Sequence, residues 1–256
     1  MPYVIAAAVL VAFRFGLAGV LFLAAVGGVG YMQRARIFRL LERLPVQPRP
    51  RKASTDAGAS AFARARELRT PTVRIATALG IPTQAERTAR NYEAGGKGEQ
   101  AVAELLAPLE DDGWKFLYDR RLPRGRANID ILALSPRGHV YVLDPKNWTA
   151  RFPLSVQAGR LMRGERDVTD WLDGLKHETA TVDQHLGAGS IPVAVMVRDA
   201  VAAGEQLRID GIRIVAAVDV CSALRRLDGR LVPRPRPSDF AAHAALTFPP
   251  YVRKRS

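Results

Sequence analysis

The sequence contains one cysteine, Cys221, among its 256 residues. A single cysteine cannot form an internal disulfide, and a cysteine-ligated zinc site needs several cysteines at short spacing, so both are excluded. Histidine is also scarce, and no two of the four lie at the short spacing of a metal-binding pair: His139, His177, His185 and His243. Neither a glycine-rich phosphate loop nor a nucleophilic triad is visible. The chemistry of this chain must therefore come from other side chains.

Positive charge is distributed unevenly along the chain. The formal net charge is +13, yet residues 91–252 carry 21 basic and 21 acidic side chains. The excess lies in residues 32–90, which have 13 basic and 4 acidic side chains, and in three cations near the C-terminus. The part of the chain with globular composition is thus electrically balanced, and the high net charge does not by itself indicate nucleic-acid binding.

A long apolar run precedes the basic segment. Residues 3–31 are nearly all apolar or glycine and carry a single charge, Arg14. A helix of this length, at about 1.5 Å per residue, spans a hydrocarbon core of about 30 Å, so we predict a transmembrane anchor over residues 1–32. A secretory signal and a mistaken start codon are the alternatives, although a signal peptide has a shorter apolar region of about 7 to 15 residues.

The cations after the run predict its orientation. Cytoplasmic flanks of membrane helices carry an excess of lysine and arginine, and such residues follow this run closely: Arg34, Arg36, Arg39, Arg43, Arg49, Arg51 and Lys52. We therefore expect a single-pass protein of the cell membrane with a cytoplasmic C-terminal domain. The segment from Arg34 to Lys52 would contact anionic lipid headgroups, and DNA binding by the same cations is the alternative.

The remaining sequence divides into three segments. Residues 33–90 are predicted to be a basic juxtamembrane segment and linker with short helices, broken at Pro71 and Pro82. From residue 91 to 228 the order is helix, three strands, irregular stretch, helix, two strands and helix, which is typical of an α/β domain. Residues 229–256 are predicted to be a tail that contains proline and arginine.

Three acids and one lysine in the α/β segment are candidates for chemistry. Glu99 shares the apolar stripe of a helix predicted over about residues 97–109. Asp130 is the single charge of the apolar strand NIDILAL, and Asp144 and Lys146 lie two apart in the strand HVYVLDPKNW. Period-two geometry directs these two side chains to one face, about 7 Å apart. Taken alone, Glu99 could be an acid that the helix dipole stabilises. Asp144 and Lys146 could be an ordinary ion pair.

Together these side chains predict a hydrolytic site. Asp130 lies on a strand that neighbours the strand of Asp144, and the helix of Glu99 must cover the same sheet, so the three acids and the lysine can converge. Carboxylate oxygens suit Mg²⁺ or Mn²⁺, and a lysine nearby can orient or deprotonate the attacking water. Such a site suits phosphodiester hydrolysis, because the cation stabilises the charge that develops on the phosphate.

Two stretches carry a family resemblance: GGKGEQAVAELL, from Gly95, and LPRGRANIDILALSPRGHVYVLDPKNW, from Leu122. They resemble the nuclease-related domain (NERD), a branch of the restriction-endonuclease-like PD-(D/E)xK superfamily, strongly over residues 91–152 and more weakly to 227. The resemblance implies a mixed sheet flanked by helices, a nuclease activity, and a familiar arrangement with an N-terminal membrane segment. Its implied catalytic residues are Glu99, Asp130, Asp144 and Lys146, of which the two aspartates are the metal ligands.

Two features depart from the family pattern. Pro145 removes a backbone donor from a strand that should be central. The further polar residue that the family often has after the metal site, frequently a glutamine, has only Gln157 and Gln184 as candidates.

The loop after the first predicted strand adds cations that are expected to bind nucleic acid, DNA above all: Arg120, Arg121, Arg124 and Arg126.

The sequence therefore predicts a membrane-anchored nuclease of α/β fold that depends on Mg²⁺ or Mn²⁺. The alternative is a catalytically inactive, membrane-tethered module that binds nucleic acid or protein and retains the nuclease fold. Retention of the complete set of four site residues favours the enzyme. The zero net charge of residues 91–252 favours the alternative, because a nucleic-acid duplex attracts a basic face.

Overall fold

The computed structural model of the protein describes residues 56–125, 127–148, 151–187, 189–198, 200–202 and 204–251. The predicted anchor at residues 1–32 and the cations from Arg34 to Lys52 lie outside these ranges. Within them, no helix combines the length and the apolar character that crossing a membrane requires.

A central sheet with helices on both faces, and a second smaller sheet, make up the described fold. The helices are α1 (Ala59–Leu68), α2 (Pro71–Ala78), α3 (Gln84–Asp111), α4 (Asp173–Leu186), α5 (Val220–Arg230) and α6 (Phe240–Thr247). The strands are β1 (Lys115–Arg121), β2 (Asn128–Leu134), β3 (Val140–Lys146), β4 (Leu154–Gln157), β5 (Arg160–Arg163), β6 (Arg166–Asp167), β7 (Ile191–Met196), β8 (Gln206–Ile209) and β9 (Ile212–Ala216). Short 3-10 turns lead into α4 and α5: Thr169–Leu172 and Ala217–Asp219.

The first helices are separated where the sequence predicts breaks. Thr70, just before Pro71, caps α2 by accepting a hydrogen bond from a backbone N–H of its first turn. Thr83, just after Pro82, caps α3 in the same way. These caps satisfy backbone donors that the start of a helix leaves free. Helix α3 then continues through residue 91, so the helix predicted near the start of the α/β segment is the second half of a longer one.

The central sheet has the strand order β1-β2-β3-β7-β9-β8. Strands β1, β2 and β3 are antiparallel neighbours, whereas β3, β7 and β9 run parallel and β8 pairs antiparallel with β9 at the edge. Parallel neighbours need a long connection, and the segment with the small sheet and α4 supplies it between β3 and β7. The fold is thus mixed α/β with a mixed sheet and flanking helices, as predicted.

Alternating side chains of the sheet build two apolar layers. On β3, Tyr141 and Leu143 pack with α3 and α5, whereas Val140 and Val142 pack with α4 and α6. All four side chains are fully buried. Because side chains alternate along a strand, the next even-numbered residues of β3, which include Asp144, continue on the α4 side.

The irregular stretch predicted between the third strand and the next helix contains the small sheet, of order β4-β5-β6. Its strands are four, four and two residues long, too short to show an alternating pattern. Ala158 and Gly159 join β4 to β5 with φ angles of 48° and 73°. Hairpin turns of this kind usually carry Asn-Gly or Asp-Gly, so the sequence lacks the usual hairpin signal.

The predicted C-terminal tail is in part a packed element. Helix α6 leads to Phe248, whose side chain is fully buried. Backbone N–H groups of Arg121 and Tyr251 donate hydrogen bonds that tie this segment to β1. The prolines between residues 233 and 237 are typical of the predicted tail, and the apolar stretch after them is too short to show an amphipathic pattern.

Candidate active site

Asp130 and Asp144 are side by side on β2 and β3. The antiparallel register pairs Ile131 with Leu143, so the next position along the two strands places Asp130 opposite Asp144. Asp144 is buried and Asp130 is half-buried. The two carboxyl groups interact directly with each other. The two predicted metal ligands are therefore neighbours.

The ammonium group of Lys146 lies against the same carboxylate. Its Nζ is 2.8 Å from Asp144 Oδ2. Pro145 between them does not disturb the strand, because pairing with β2 ends at Leu143 while the parallel pairing with β7 continues to Lys146. Lys146 O accepts a hydrogen bond from Val197 N, so the missing N–H of Pro145 falls on the β2 side, beyond the end of that ladder.

Helix α3 brings Glu99 to this point from the other face of the sheet. The side chain of Glu99 is buried; a backbone N–H of Gly58 donates to its carboxylate, and its Oε2 has no hydrogen-bond partner among the described residues. Next to it, a Cβ atom at Gly98 would be in ordinary van der Waals contact with Val197, at 3.4 Å, and with Asn147, at 3.6 Å. Helix α3 therefore packs directly on the ends of β3 and β7 at this point.

Glu178 on α4 is a fourth acid of the site, and sequence analysis did not identify it. One of its carboxylate oxygens, Oε2, is buried and has no hydrogen-bond partner in the described part of the chain. The signal that could have found it is its spacing, three residues after Leu175 and four before Val182 on the buried stripe of α4. Gln157 and Gln184, the candidates for a polar residue after the metal site, are both exposed.

Asp119 on β1 is a further buried acid that the sequence did not indicate. The register of β1 and β2 places it opposite Asp130. Asn128 Nδ2 donates to Asp119 Oδ1 at 2.9 Å and to Asp130 Oδ1 at 3.3 Å, and Ser60 N donates to Asp119 Oδ2 at 2.5 Å. These bonds hold Asp119 at a φ of 46°, a conformation that costs about 1–3 kcal/mol in a non-glycine residue. Asp119 thereby orients Asn128, which contacts a predicted metal ligand.

Burial and mutual repulsion raise the pKa values of the clustered acids. Burial, followed by the charges of Asp119 and Asp144, raises the pKa of Glu99 to about 8. Burial and the charge of Glu99 raise the pKa of Asp130 well above its ordinary value. Burial also raises the pKa of Asp144, against the opposing effect of Lys146. Burial disfavours the charge on Lys146, but the Asp144 carboxylate outweighs it and raises the Lys146 pKa, so the lysine is cationic at neutral pH.

A cleft of about 820 Å³ opens over Glu99 and Asp130. Its wall includes side chains from the N-terminal helices, the end of β1 and the C-terminal segment: Ser60, Arg64, Tyr92, Arg121 and Tyr251. The cleft is thus assembled from distant parts of the chain, and both acids form part of its surface.

The four predicted substrate-binding arginines have different places. Arg121 lines the cleft, and Arg124 is exposed in the loop that follows. Arg126 lies outside the described residues. Arg120 is buried, and its guanidinium donates to Phe248 O at 2.6 Å and to Ala245 O at 2.9 Å, at the end of α6. The structure therefore does not bring Arg120 to the cleft: its donors hold the C-terminal helix.

The arrangement around β2, β3 and α3 can be compared with known families. Residues 94–197 match the family model of the nuclease-related domain. The nuclease-related match covers all four predicted catalytic residues and supports a nuclease-related function, so the predicted resemblance is confirmed over this range. Ser60 and Tyr251, on the cleft wall, lie outside it. No curated protein and no solved structure matches the chain.

The donor set fits a hard divalent cation. Within the described ranges, no three histidine, cysteine, aspartate or glutamate side chains form a compact ligand group. However, Asp130 and Asp144 are adjacent, and Glu99 and Glu178 each have a buried oxygen without a hydrogen-bond partner among the described residues. Mg²⁺ is commonly held by one or two carboxylates with water completing its coordination. A bound cation would also allow acids with raised pKa values to ionise together.

Proposed function

We propose that the protein is a metal-dependent nuclease with a restriction-endonuclease-like fold. The observation that carries this proposal is the convergence of Glu99, Asp130, Asp144 and Lys146, with Lys146 Nζ 2.8 Å from Asp144 Oδ2. The match of residues 94–197 to the nuclease-related domain supports it. The substrate bond is a phosphodiester bond of nucleic acid.

Asp130 and Asp144 would hold Mg²⁺ or Mn²⁺. Such a cation, when bound, polarises the phosphate and lowers the pKa of a coordinated water. The cationic Lys146 donates to the attacking water or to a non-bridging phosphate oxygen and stabilises the added negative charge. Glu99 accepts from the water, which attacks phosphorus while the bond from phosphorus to the sugar oxygen breaks and that oxygen takes a proton from solvent.

The cleft over Glu99 and Asp130 is the proposed place of the substrate, with DNA as the first candidate. Arg121 on its wall and Arg124 in the adjacent loop are positioned for contacts with phosphate, and Arg126 follows in the same loop. Arg64 on α1 adds a further cation to the cleft wall. These contacts supply local positive charge in a segment that is electrically balanced as a whole.

Anchoring in the cell membrane is a second part of the proposal. The apolar run in residues 3–31 and the cations from Arg34 to Lys52 support a single transmembrane helix with the nuclease domain in the cytoplasm. Protease treatment of intact cells should leave a C-terminal tag undigested. Digestion of the tag from outside would overturn this topology.

A catalytically inactive binding module is the second candidate function. The direct ion pair between Lys146 and Asp144 favours it, since a largely buried ion pair can have a purely structural role. The equal numbers of basic and acidic side chains in residues 91–252 also favour it.

A cleavage assay separates the two functions. Full-length protein is incubated with labelled single- and double-stranded DNA and RNA, with EDTA, Mg²⁺ or Mn²⁺. The nuclease requires cleavage only with a metal, and a loss of at least about a hundredfold in Asp144→Asn. Asp173→Asn is the matched control, because Asp173 is a largely exposed aspartate on α4 that pairs with a lysine. Absence of metal-dependent cleavage of every substrate would favour the binding module. Equal cleavage by both variants would show that the cleavage does not depend on Asp144.

A further inference from the structure

A cluster of arginine and aromatic side chains surrounds the small sheet next to the active site. Arg163 Cζ lies 5.5 Å from the ring centroid of Trp148 and 5.8 Å from that of Phe152. Arg166 lies 5.5 Å from the Trp171 ring in the same manner. The two tryptophan rings meet edge to face at 4.6 Å. The arginine–aromatic surface is formed by these residues and one more arginine: Trp148, Arg151, Phe152, Arg163, Arg166 and Trp171.

The outer part of this surface is open to solvent, whereas Trp148 and Trp171 are half-buried against the core. The described chain does not neutralise its positive charge. Phe152 is 47% exposed, and Arg151 and Arg166 are exposed. Among the described residues, no carboxylate lies within ion-pair distance of the arginines of the surface, and Arg163 Nε is buried without a hydrogen-bond partner. The nearby Asp167 is already bound by Arg160 at 3.1 Å and by the Thr169 hydroxyl.

The arginine–aromatic surface adjoins the catalytic lysine. Lys146 is the last residue of β3, and Trp148 follows it by two residues. Trp171 lies in the turn that leads into α4, the helix of Glu178. The cleft lined by Arg121 contains Glu99 and Asp130, two other acids of the same site. A chain of phosphates that crosses the site from the cleft past Lys146 would therefore continue onto this surface.

We infer that the arginine–aromatic surface binds a single strand of nucleic acid. This inference rests on the proposed nuclease function and specifies the form of its substrate. Guanidinium groups contact phosphates, and exposed rings and guanidinium planes stack with unpaired bases, as in other single-strand-binding grooves. A duplex does not present its base faces to such rings, and its high charge density calls for a wider basic face than this balanced domain has.

Binding is measured without metal, so that the result does not depend on cleavage. Full-length protein in EDTA is titrated into a labelled 15-nucleotide oligothymidine and into a duplex of equal length, with tryptophan emission as a second readout. We expect tighter binding of the single strand, quenched tryptophan emission, and a loss of at least about fivefold in Phe152→Leu and in Arg166→Ala. Phe152→Leu retains apolar volume but removes the aromatic ring.

Arg226→Ala is the matched control, because Arg226 is an exposed arginine on α5, which packs on the opposite face of the central sheet. It should bind the single strand as the parent does. Equal binding by the Phe152 and Arg166 variants, tighter binding of the duplex, or binding only to vesicles with anionic phosphatidylserine would overturn the inference. The two variants could lose single-strand binding while the parent shows no metal-dependent cleavage. That result would support the binding surface and contradict the proposed nuclease activity.

Discussion

At neutral pH Glu99 carries a proton in the metal-free protein, because burial and the charges of Asp119 and Asp144 raise its pKa to about 8. The ordinary value of the same group is 4.5. Between pH 4.5 and about pH 8, Glu99 therefore binds a proton more often in the folded chain than in the unfolded chain. The free energy of unfolding therefore decreases as pH rises through this window, by at most about 1.4 kcal/mol per pH unit from this one group.

Melting temperatures in EDTA at pH 5, 6, 7 and 8 test this effect. We expect the melting temperature of the parent to fall across the series and the fall to be smaller in Glu99→Gln, which has no proton to lose. Glu104→Gln is the control, since Glu104 is an exposed glutamate on the same helix, and it should follow the parent. An identical pH dependence in Glu99→Gln would contradict the buried, protonated state.

The sequence could predict the site residues because these charges lie on apolar strands or on an apolar helix stripe, where a charged side chain is conspicuous. Asp130 and Asp144 interrupt strands that are otherwise apolar, and the short turn between those strands fixes them as neighbours. Asp119 gave no such signal, because it lies in a strand with several charges and its role depends on a positive φ angle. Glu178 and the buried position of Arg120 depend on contacts between residues far apart in sequence, which local patterns do not reveal.

At the scale of elements, the contact between α1 and α3 decides where Glu99 lies. Gly58 precedes α1 with a φ of 75°, and a Cβ atom there would approach Gly96 O to 2.7 Å. On α3, a Cβ atom at Gly96 would meet the ring of Phe62, which lies on α1, at 3.0 Å. Glycines at both positions thus allow α1 to cross α3 closely and to direct a backbone N–H at Glu99.

Gly58→Ala should therefore be more destabilising than Gly80→Ala. Gly80 also has a positive φ, of 73°, but a Cβ atom there meets nothing within 4 Å. We expect a cost of about 1–2 kcal/mol for Gly80→Ala from the backbone alone, and about 1–3 kcal/mol more for Gly58→Ala from the clash. Chemical denaturation of both variants measures the difference. Equal costs would mean that α1 does not pack on α3 as described.

The elements that the sequence predicted are those with long apolar patterns. Strands β2, β3, β7 and β9 are apolar runs, and α4 ends at Gly187, which has the left-handed conformation expected of a helix end. The short strands β4, β5, β6 and β8 were not predicted, because two to four residues cannot establish a period. Helix α3 is longer than predicted, since its first half is polar and contacts α1 rather than the sheet.

At the scale of the whole molecule, segments outside the nuclease-related match complete the candidate site. Ser60 from α1 donates to Asp119, and Tyr251 after α6 lies on the cleft wall. The adjacent arginines of β1 divide two tasks, since Arg120 holds α6 while Arg121 faces the cleft. The C-terminal segment is thus part of the fold that surrounds the site.

The two adjacent arginines give a matched pair of variants. Arg120→Ala should lower the free energy of unfolding by about 2–4 kcal/mol, because it removes two hydrogen bonds from a charged donor to carbonyls at the end of α6. Arg121→Ala should leave stability nearly unchanged and weaken binding to DNA, with a shallower dependence of affinity on salt. Denaturation and binding titrations on both variants test this. The reverse pattern would place Arg120, and not Arg121, on the substrate.

In the proposed nuclease, Asp144 holds a metal ion while Lys146 acts on the reacting phosphate and water. Replacement of Lys146 by methionine should leave Mg²⁺ or Mn²⁺ affinity intact or improve it, because a nearby positive charge is removed. Cleavage of nucleic acid should fall by at least about a hundredfold in the same variant. Asp144→Asn should lose both properties. Lys176→Met, at a half-exposed lysine that pairs with Asp210, should lose neither.

Calorimetric metal titration and a cleavage assay on the same preparations of Lys146→Met are the most direct measurement. We expect this variant to bind metal without cleaving nucleic acid. A structural ion pair predicts instead that Lys146→Met is less stable by about 3–5 kcal/mol, because one buried charge is left without its partner, and that the parent shows no metal-dependent cleavage. That result, or full cleavage by Lys146→Met, would contradict the proposed site.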